Sequence, residues 1–300
     1  HGIEDVVFSC GYRPDALEAH FGDGSAIGMR VRYVVDPEPL GTAGAVKNAE
    51  PLLDGEPFLV LNGDILTDLD LGAVIEAHRR SGGAGTVVLT PVEDPSAFGL
   101  VRLRPDGSVE AFVEKPRPEE LRPGEPFRIN AGTYLLTADA LARIPAGVSC
   151  SIEREIFPVL AAEGALHGYP SAAYWRDIGT PASYLAASHD VLRGALRTAT
   201  PTGDVYAAPG ADIDPAASVG EMTAVGPGAR IAAGAVVRAS IVGADSEVGE
   251  GAELTEAIVG QGVAVGAGAR LAPGSIVGDG ATIAAHALVD GSTPVPPVGA

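Results

Sequence analysis

From its amino end the chain alternates short apolar runs with stretches whose apolar residues return at helical spacing. Residues 5–10, Asp-Val-Val-Phe-Ser-Cys, form an apolar run closed by Gly11, the pattern of a buried parallel strand. Pro14-Asp15 opens a helical stretch with Leu17 and Phe21 on one face at i, i+4. The pattern then predicts a strand at 31–35, a helix at 43–53 and a wholly apolar strand at 58–61 that delivers Asp64 to its carboxyl end. A helix at 71–80 and a strand at 86–90 follow. Strands alternating with helices predict a doubly wound α/β sheet, in which ligands sit beyond the carboxyl ends of the strands. From 99 to 136 the strands shorten, separated by Pro105-Asp106-Gly107 and a proline-rich stretch at 116–126, which predicts a mixed, partly antiparallel insertion. A helix at 152–162, a strand at 174–177 and a helix at 181–196 complete this part, and 197–203 is a polar connector.

Beyond the connector the period changes. Ile213, Val219, Val225, Ile231 and Val237 recur every six positions. After a slip of one residue the spacing resumes at Val242, Val248 and Leu254, and again at Val259, Val265, Leu271, Val277 and Ile283. Gly follows many of them, as at Gly220, Gly226, Gly243, Gly249, Gly260, Gly266 and Gly278. A sustained hexapeptide period predicts a left-handed parallel β-helix, in which each hexad supplies one flat strand and a turn and stacking buries the repeated aliphatic position. A disordered glycine- and alanine-rich tail would not hold that period. The expected domains are therefore 1–198 and 199–300. The closing Pro294-Val295-Pro296-Pro297 is expected to fray.

Three hundred residues with 46% hydrophobic content suit two ordinary domains with sizeable cores. Twenty basic against 39 acidic side chains give a net charge of -19, which repels nucleic-acid backbones and anionic lipid. Neither nucleic acid nor a membrane is expected as a partner, and an enzyme of this charge that handles a nucleotide would need magnesium and a few local cations. Cys10 and Cys150 are too few for a disulfide framework and are not spaced as metal ligands, so a reducing cytoplasm fits. No apolar stretch has the length of a membrane span, and the first residues do not resemble a signal peptide.

Two carboxylates stand out. Asp64 follows a predicted buried strand and Asp177 ends another, so a parallel sheet could bring both to one rim, where they could hold a hard cation such as magnesium. Each has a plainer reading: Asn62-Gly63 could be a hairpin turn, and Asp177 could cap the helix that Pro181 begins.

Five motifs in fixed order raise the first reading: Leu40-Gly41-Thr42-Ala43-Gly44, Asn62-Gly63-Asp64, Glu114-Lys115-Pro116, Asn130-Ala131-Gly132 and Trp175-Arg176-Asp177-Ile178-Gly179-Thr180-Pro181. Their order resembles the sugar-1-phosphate nucleotidyltransferases, most closely the mannose-1-phosphate guanylyltransferases, whose hexapeptide-repeat tail corresponds to the last third of the chain. The resemblance implies a Rossmann-like doubly wound nucleotidyltransferase domain ahead of the β-helix. It implies nucleotidyl transfer from a nucleoside triphosphate to a hexose 1-phosphate, with release of pyrophosphate. It assigns Asp64, Lys115 and Asp177 to catalysis, with Asp64 and Asp177 holding magnesium. Leu40, Gly41, Thr42 and Gly63 fall against the nucleotide, with Gly41 allowing close backbone approach to the base. Lys115 serves the sugar phosphate as a point charge, and Glu114 accepts from sugar hydroxyls. Gly99, Asn130 and Gly132 match further sugar-contacting positions. Asp36 and Glu38 stand where the base should lie, and a carboxylate can accept both the N1 and N2 hydrogens of guanine, so guanosine triphosphate is preferred.

Plainer readings remain here too: an acidic turn shaped by Pro37 and Pro39, an exposed ion pair at Glu114-Lys115 and core packing for Trp175. The family's opening strand and its Gly-Gly-x-Gly-Thr-Arg loop should precede residue 1, so the chain from His1 is expected to be inactive alone. Gly82-Gly83-Ala84-Gly85-Thr86 imitates that loop but precedes a strand, and reads as an ordinary turn. Mannose is preferred only through the resemblance. A glucose-1-phosphate thymidylyl-, uridylyl- or adenylyltransferase and a non-catalytic, sugar-nucleotide-sensing regulatory homologue stay open. An acyltransferase on the β-helix would want a histidine base, and the repeats offer only His286. A homo-oligomer could form through the β-helix.

Overall fold

The computed structural model describes residues 1–11, 14–96, 99–114, 116–122 and 124–298. They form two compact units, one of residues 1–63 and 69–173, the other of residues 64–68 and 174–300.

The first unit contains β1 (Asp5–Cys10), α1 (Pro14–Phe21), β2 (Arg30–Val35), α2 (Gly41–Asn48) and β3 (Phe58–Leu61). After residues 64–68, which carry β4 (Ile65–Thr67) of the second unit, come α3 (Leu71–Ser81), β5 (Gly85–Pro91), β6 (Gly99–Leu103) and β7 (Val109–Glu114). β8 (Arg128–Leu136), α4 (Ala138–Ala142), a π-helical turn at Ile152–Ile156, α5 (Phe157–Ala162) and β9 (Leu166–Pro170) complete it. Strands β7-β6-β8-β5-β9 form one sheet in that order, with β3 also on β8. The core gathers Val87, Leu89, Tyr134, Leu136, Ile152, Phe157, Leu160 and Leu166.

The partly antiparallel stretch expected at 99–136 is β6, β7 and β8, and its antiparallel pairing extends further, to β3 and β5. β5 and β9 run parallel, but β8 lies antiparallel to β3, β5 and β6. β1 and β2 form a separate parallel pair, Val6 opposite Val31 and Phe8 opposite Tyr33. Apolar runs report that a strand is buried, not which way its neighbours run. α3 is capped by Asp70, which accepts from the Ala73 amide, and ends on Gly82 in the left-handed region. The glycine run at 82–85 is thus a helix terminator leading into β5, as a turn reading requires.

In the second unit β4 pairs antiparallel with β10 (Trp175–Asp177), and α6 (Pro181–Arg193) follows. α6 opens on Thr180 in a reciprocal cap with Ser183, has Pro181 in its first turn and closes on Gly194 in the left-handed region.

The rest is a parallel β-helix whose short strands stack into three five-stranded sheets. Ile213 stacks on Ile231, then Val248, Val265 and Ile283; Val219 on Val237, Leu254, Leu271 and Val289. Val225, Ile231, Val237, Val242, Val248, Leu254, Val259, Val265, Leu271, Val277 and Ile283 are buried together, with Ile213 and Val219 packed against them. The slips in the hexad are shortened corners. They fall between Val237 and Val242 and between Leu254 and Val259, where Ala239 and Glu256 take positive φ of 48° and 46°. Inward hydroxyls serve the same corner: Ser240 Oγ donates to the Arg238 carbonyl at 2.6 Å and accepts the Ala257 amide at 3.1 Å. The end does not fray through Pro294-Val295-Pro296-Pro297. The Val295 amide donates to the Ile276 carbonyl and the Val295 carbonyl accepts the Gly278 amide, adding a partial strand to the stack.

Because each coil is held only by its neighbours, one interior deletion loosens the stack locally. Leu254→Ala is expected to cost about 2–5 kcal/mol. A lowered denaturant midpoint, with amide exchange accelerated mainly in the coils flanking residue 254, checks it.

Candidate active site

Asp64 and Asp177 lie in one small ladder of the second unit. Asp177 is opposite Ile65, and the Ile178 amide donates to the Asp64 carbonyl at 2.8 Å. Antiparallel pairing of β4 with β10 therefore brings the two carboxylates together, rather than the rim of a parallel sheet. Both side chains are exposed. The Asp177 Oδ1 accepts the Gly179 amide at 2.8 Å, turning the chain toward α6. Gly179 separates the two carboxylates: a β-carbon there would stand 3.1 Å from the Asp177 Oδ1 and 3.3 Å from the Asp64 Oδ2. The helix cap is Thr180, so Asp177 is not spent on capping, and β3 pairs with β8 while β4 pairs with β10, so Asn62-Gly63 does not close a hairpin.

The ladder is anchored from behind. Arg176 donates to the Asp190 Oδ2 from Nε at 2.9 Å and Nη2 at 2.6 Å, and the Tyr174 hydroxyl donates to the same oxygen at 2.8 Å. Burial pushes the Asp190 carboxyl up, but these hydrogen bonds and the guanidinium charge outweigh it and hold Asp190 below the usual carboxylate range. Asp68, beyond β4, is held low by the backbone amides of Arg197 and Tyr174. Backbone position on both sides of the Asp64–Asp177 pair is thus tied to ionised side chains.

In the first unit the Leu40–Gly44 motif forms the start of α2 and packs on residues 148–152. Leu40 is buried and its carbonyl accepts the Cys150 amide at 2.8 Å; the Cys150 carbonyl in turn accepts the amides of Ala43 and Gly44. Gly41 takes φ of +68°, and a β-carbon on it would stand 2.7 Å from the Cys150 carbonyl oxygen. The close backbone approach that Gly41 makes within the chain is to this carbonyl. The Thr42 hydroxyl donates to the Glu153 carboxylate at 2.9 Å and accepts the Ile152 amide at 2.9 Å. Its proton and one lone pair are used, so toward a ligand the Thr42 hydroxyl can still accept but no longer donate. Asp36 is half-buried and accepts from the Asn48 amide group at 2.9 Å, whereas Glu38 is exposed. Gly63 is exposed with open space around it.

Three of the sugar-side candidates, Gly99, Glu114 and Asn130, share a row. Gly99 pairs with Glu114, and Leu100 pairs with Ile129, which sets Gly99 beside Asn130. Asn130 donates to the Tyr134 hydroxyl at 2.9 Å and accepts the Gly132 amide at 3.0 Å. Gly132 has φ of +70° against the side chain of Asn62, and the Asn62 backbone amide donates to the Gly132 carbonyl at 2.8 Å. Lys115 and Phe98 lie outside the described residues.

Residues 1–194 match the family model described as nucleotidyl transferase, and residues 201–298 match that of the GMPPB C-terminal domain. The chain belongs to the nucleotidyl transferase family. Among its curated relatives, a mannose-1-phosphate guanylyltransferase of Mycobacterium tuberculosis is 40% identical over 237 residues, covering 77% of this chain and 64% of the relative. A mannose-1-phosphate guanyltransferase of Aspergillus fumigatus is 35% identical over 230 residues, covering 73% and 62%. The chain thus spans somewhat under two thirds of the length of these relatives. Crystal structures of HddC from Yersinia pseudotuberculosis superpose on 62% of the chain and 78% of their own length. One has a TM-score of 0.53 at 27% identity; the other, complexed with GMP-PN, has 0.52 at 28%.

For a nucleotidyl transferase the donor set at Gly179 fits a divalent cation. Among the described residues no group of three or more His, Cys, Asp or Glu is placed to hold a metal. Two converging carboxylates with a side-chain-free gap between them suit magnesium, which keeps waters and shares its remaining positions with phosphate. Sequence reading missed Gly179, whose role shows only in three dimensions, and Glu153, whose Ser-Ile-Glu-Arg-Glu context reads as an ordinary helix start. No helix among the described residues is long and apolar enough to cross a membrane.

Proposed function

We propose that the full-length polypeptide forms a nucleotide sugar from guanosine triphosphate and mannose 1-phosphate. The observation that carries this reading is the Asp64–Asp177 pair around Gly179, in a chain of this family. A phosphate oxygen of the sugar 1-phosphate attacks the α-phosphorus in line, a phosphorus–oxygen bond to that oxygen forms, and the bond to pyrophosphate breaks. Positioning and charge neutralisation carry such a transfer. Asp64 and Asp177 hold magnesium, which when bound offsets the phosphate charge. Lys115 binds the sugar phosphate; Gly99, Glu114, Asn130 and Gly132 receive the sugar, and the shared row of Glu114, Gly99 and Asn130 supports that assignment. Leu40, Gly41, Thr42 and Gly63 face the nucleotide through their backbone. Residues 1–198 are the catalytic domain and 199–300 the β-helix through which copies associate, and the protein works in the cytoplasm.

The base is read by Glu38 more than by Asp36, because Asn48 already occupies one oxygen of Asp36. In the full-length polypeptide Glu38→Gln is expected to erode the preference for guanosine over thymidine triphosphate by roughly tenfold, since unpaired polar groups make such discrimination steep. The test is a panel of nucleoside triphosphates against hexose 1-phosphates, read as pyrophosphate release. Guanosine triphosphate with mannose 1-phosphate should lead. Another pair in the lead reassigns the substrates, and binding without release for every pair makes the protein a sugar-nucleotide sensor.

A further inference from the structure

The sequence motifs treat the nucleotide side, Leu40–Gly44, and the sugar side, Asn130–Gly132, as separate. The structure joins them through one carboxylate that neither motif contains. Glu153 sits on the π-helical turn Ile152–Ile156, a helix variant that often marks functional positions. The turn begins at Ser151, whose amide donates to the Glu155 Oε1 at 2.8 Å and whose hydroxyl accepts the Arg154 amide at 3.3 Å. Ser151 is the cap and Glu155 takes its amide, so Glu153 is left to face the motifs.

Both of its oxygens are engaged. Oε2 accepts from the hydroxyls of Thr42 at 2.9 Å and Ser151 at 3.0 Å; Oε1 accepts from the Tyr134 hydroxyl at 3.2 Å. Tyr134 is 1% exposed, and its ring meets Phe157 edge to face at 5.0 Å, so its hydroxyl has little freedom to turn away. That hydroxyl accepts from the Asn130 amide, and the Asn130 oxygen accepts the Gly132 amide. Asn130 is thereby fixed in one amide orientation, with one N–H and one lone pair left for a ligand. A continuous path runs from Thr42 through Glu153 and Tyr134 to Asn130, and every bond in it has a forced direction because an ionised carboxylate only accepts.

We propose that Glu153 is a positioning residue that couples the nucleotide-binding start of α2 to the sugar-binding strand β8, so that geometry at one substrate is felt at the other. This rests on the assignment of those two motifs under the proposed function. Gln at 153 presents a carbonyl oxygen on one side and an NH2 on the other where three hydroxyls donate, and an NH2 turned to Tyr134 would face the hydroxyl hydrogen that Glu153 accepts. One side of the path must then reorient.

The test measures equilibrium binding of guanosine triphosphate and of mannose 1-phosphate, each alone, to the full-length wild type, Tyr134→Phe, Glu153→Gln and the double variant, with melting temperatures recorded. Tyr134→Phe, which removes one hydroxyl from the sugar side, is expected to weaken nucleotide binding as well as sugar phosphate binding, each by about tenfold. In the Glu153→Gln background the same change should add little, because the path is already broken. If wild type binds both ligands and Tyr134→Phe weakens only the sugar phosphate, or the two changes simply multiply, the coupling is overturned. If wild type binds neither ligand, it is the assignment of the motifs that fails. Should Glu153→Gln not fold, Tyr134→Phe alone still decides through its effect on the nucleotide.

Discussion

Asp177→Asn in the full-length polypeptide is expected to lower pyrophosphate release on the order of a thousandfold while leaving the melting temperature unchanged. The substitution keeps the side-chain oxygen that accepts the Gly179 amide, so the turn into α6 survives, and α6 is capped independently by Thr180. What disappears is one negative charge and, under the proposed function, a strong ligand for a hard cation beside phosphate. Each loss of about 1.4 kcal/mol in transition-state stabilisation is tenfold in rate, and a divalent cation at a phosphoryl group supplies several kcal/mol. Steady-state rates across a magnesium titration check it: the variant should need more magnesium and recover only in part. Near-normal turnover would leave Asp177 as the residue that shapes the turn.

A second large effect is expected from Gly41→Ala, here on stability. Alanine at a φ of +68° carries an intrinsic penalty, and its β-carbon would meet backbone, the Cys150 carbonyl, which has no rotamer to escape into. To make room, α2 must move off the 148–152 segment, stretching the bonds from Ala43 and Gly44 to the Cys150 carbonyl and from Cys150 to Leu40. The combined cost is about 3 kcal/mol or more. Calorimetry should show the loss in the unfolding of residues 1–63 with 69–173, while the β-helix, whose core is separate, keeps its own transition. An unshifted first transition would mean the helix start relaxes freely around a side chain at position 41.

Much of this was legible in the chain because periodic burial writes itself into sequence. The β-helix is the clearest case: every interior position from Val225 to Ile283 named by the six-residue spacing is buried. Helix ends marked by local chemistry were equally readable, such as Pro181 at the start of α6 and Gly82 at the end of α3. The five motifs named the family.

Strand direction was legible only in part: the shortened strands at 99–136 predicted the antiparallel pairing of β6, β7 and β8, but not that β3 and β5 also pair antiparallel with β8. β8 and β5 present the same apolar runs whether they pair parallel or antiparallel, since side-chain alternation carries no record of direction. Nor did sequence show that Asp64 and Asp177 meet through the β4–β10 ladder, that Gly179 keeps the space between them open, or that Gly41 answers to a carbonyl 109 positions away. Glu153 is the sharpest instance. Its meaning comes from hydrogen bonds to Thr42, 111 residues earlier, and Tyr134, 19 earlier. Local sequence determined which segments would be strands, helices and coils of the stack, because those depend on near neighbours and on a repeated pattern of burial. Which polar atoms converge was decided by tertiary structure alone, because long-range contacts leave no period in the chain.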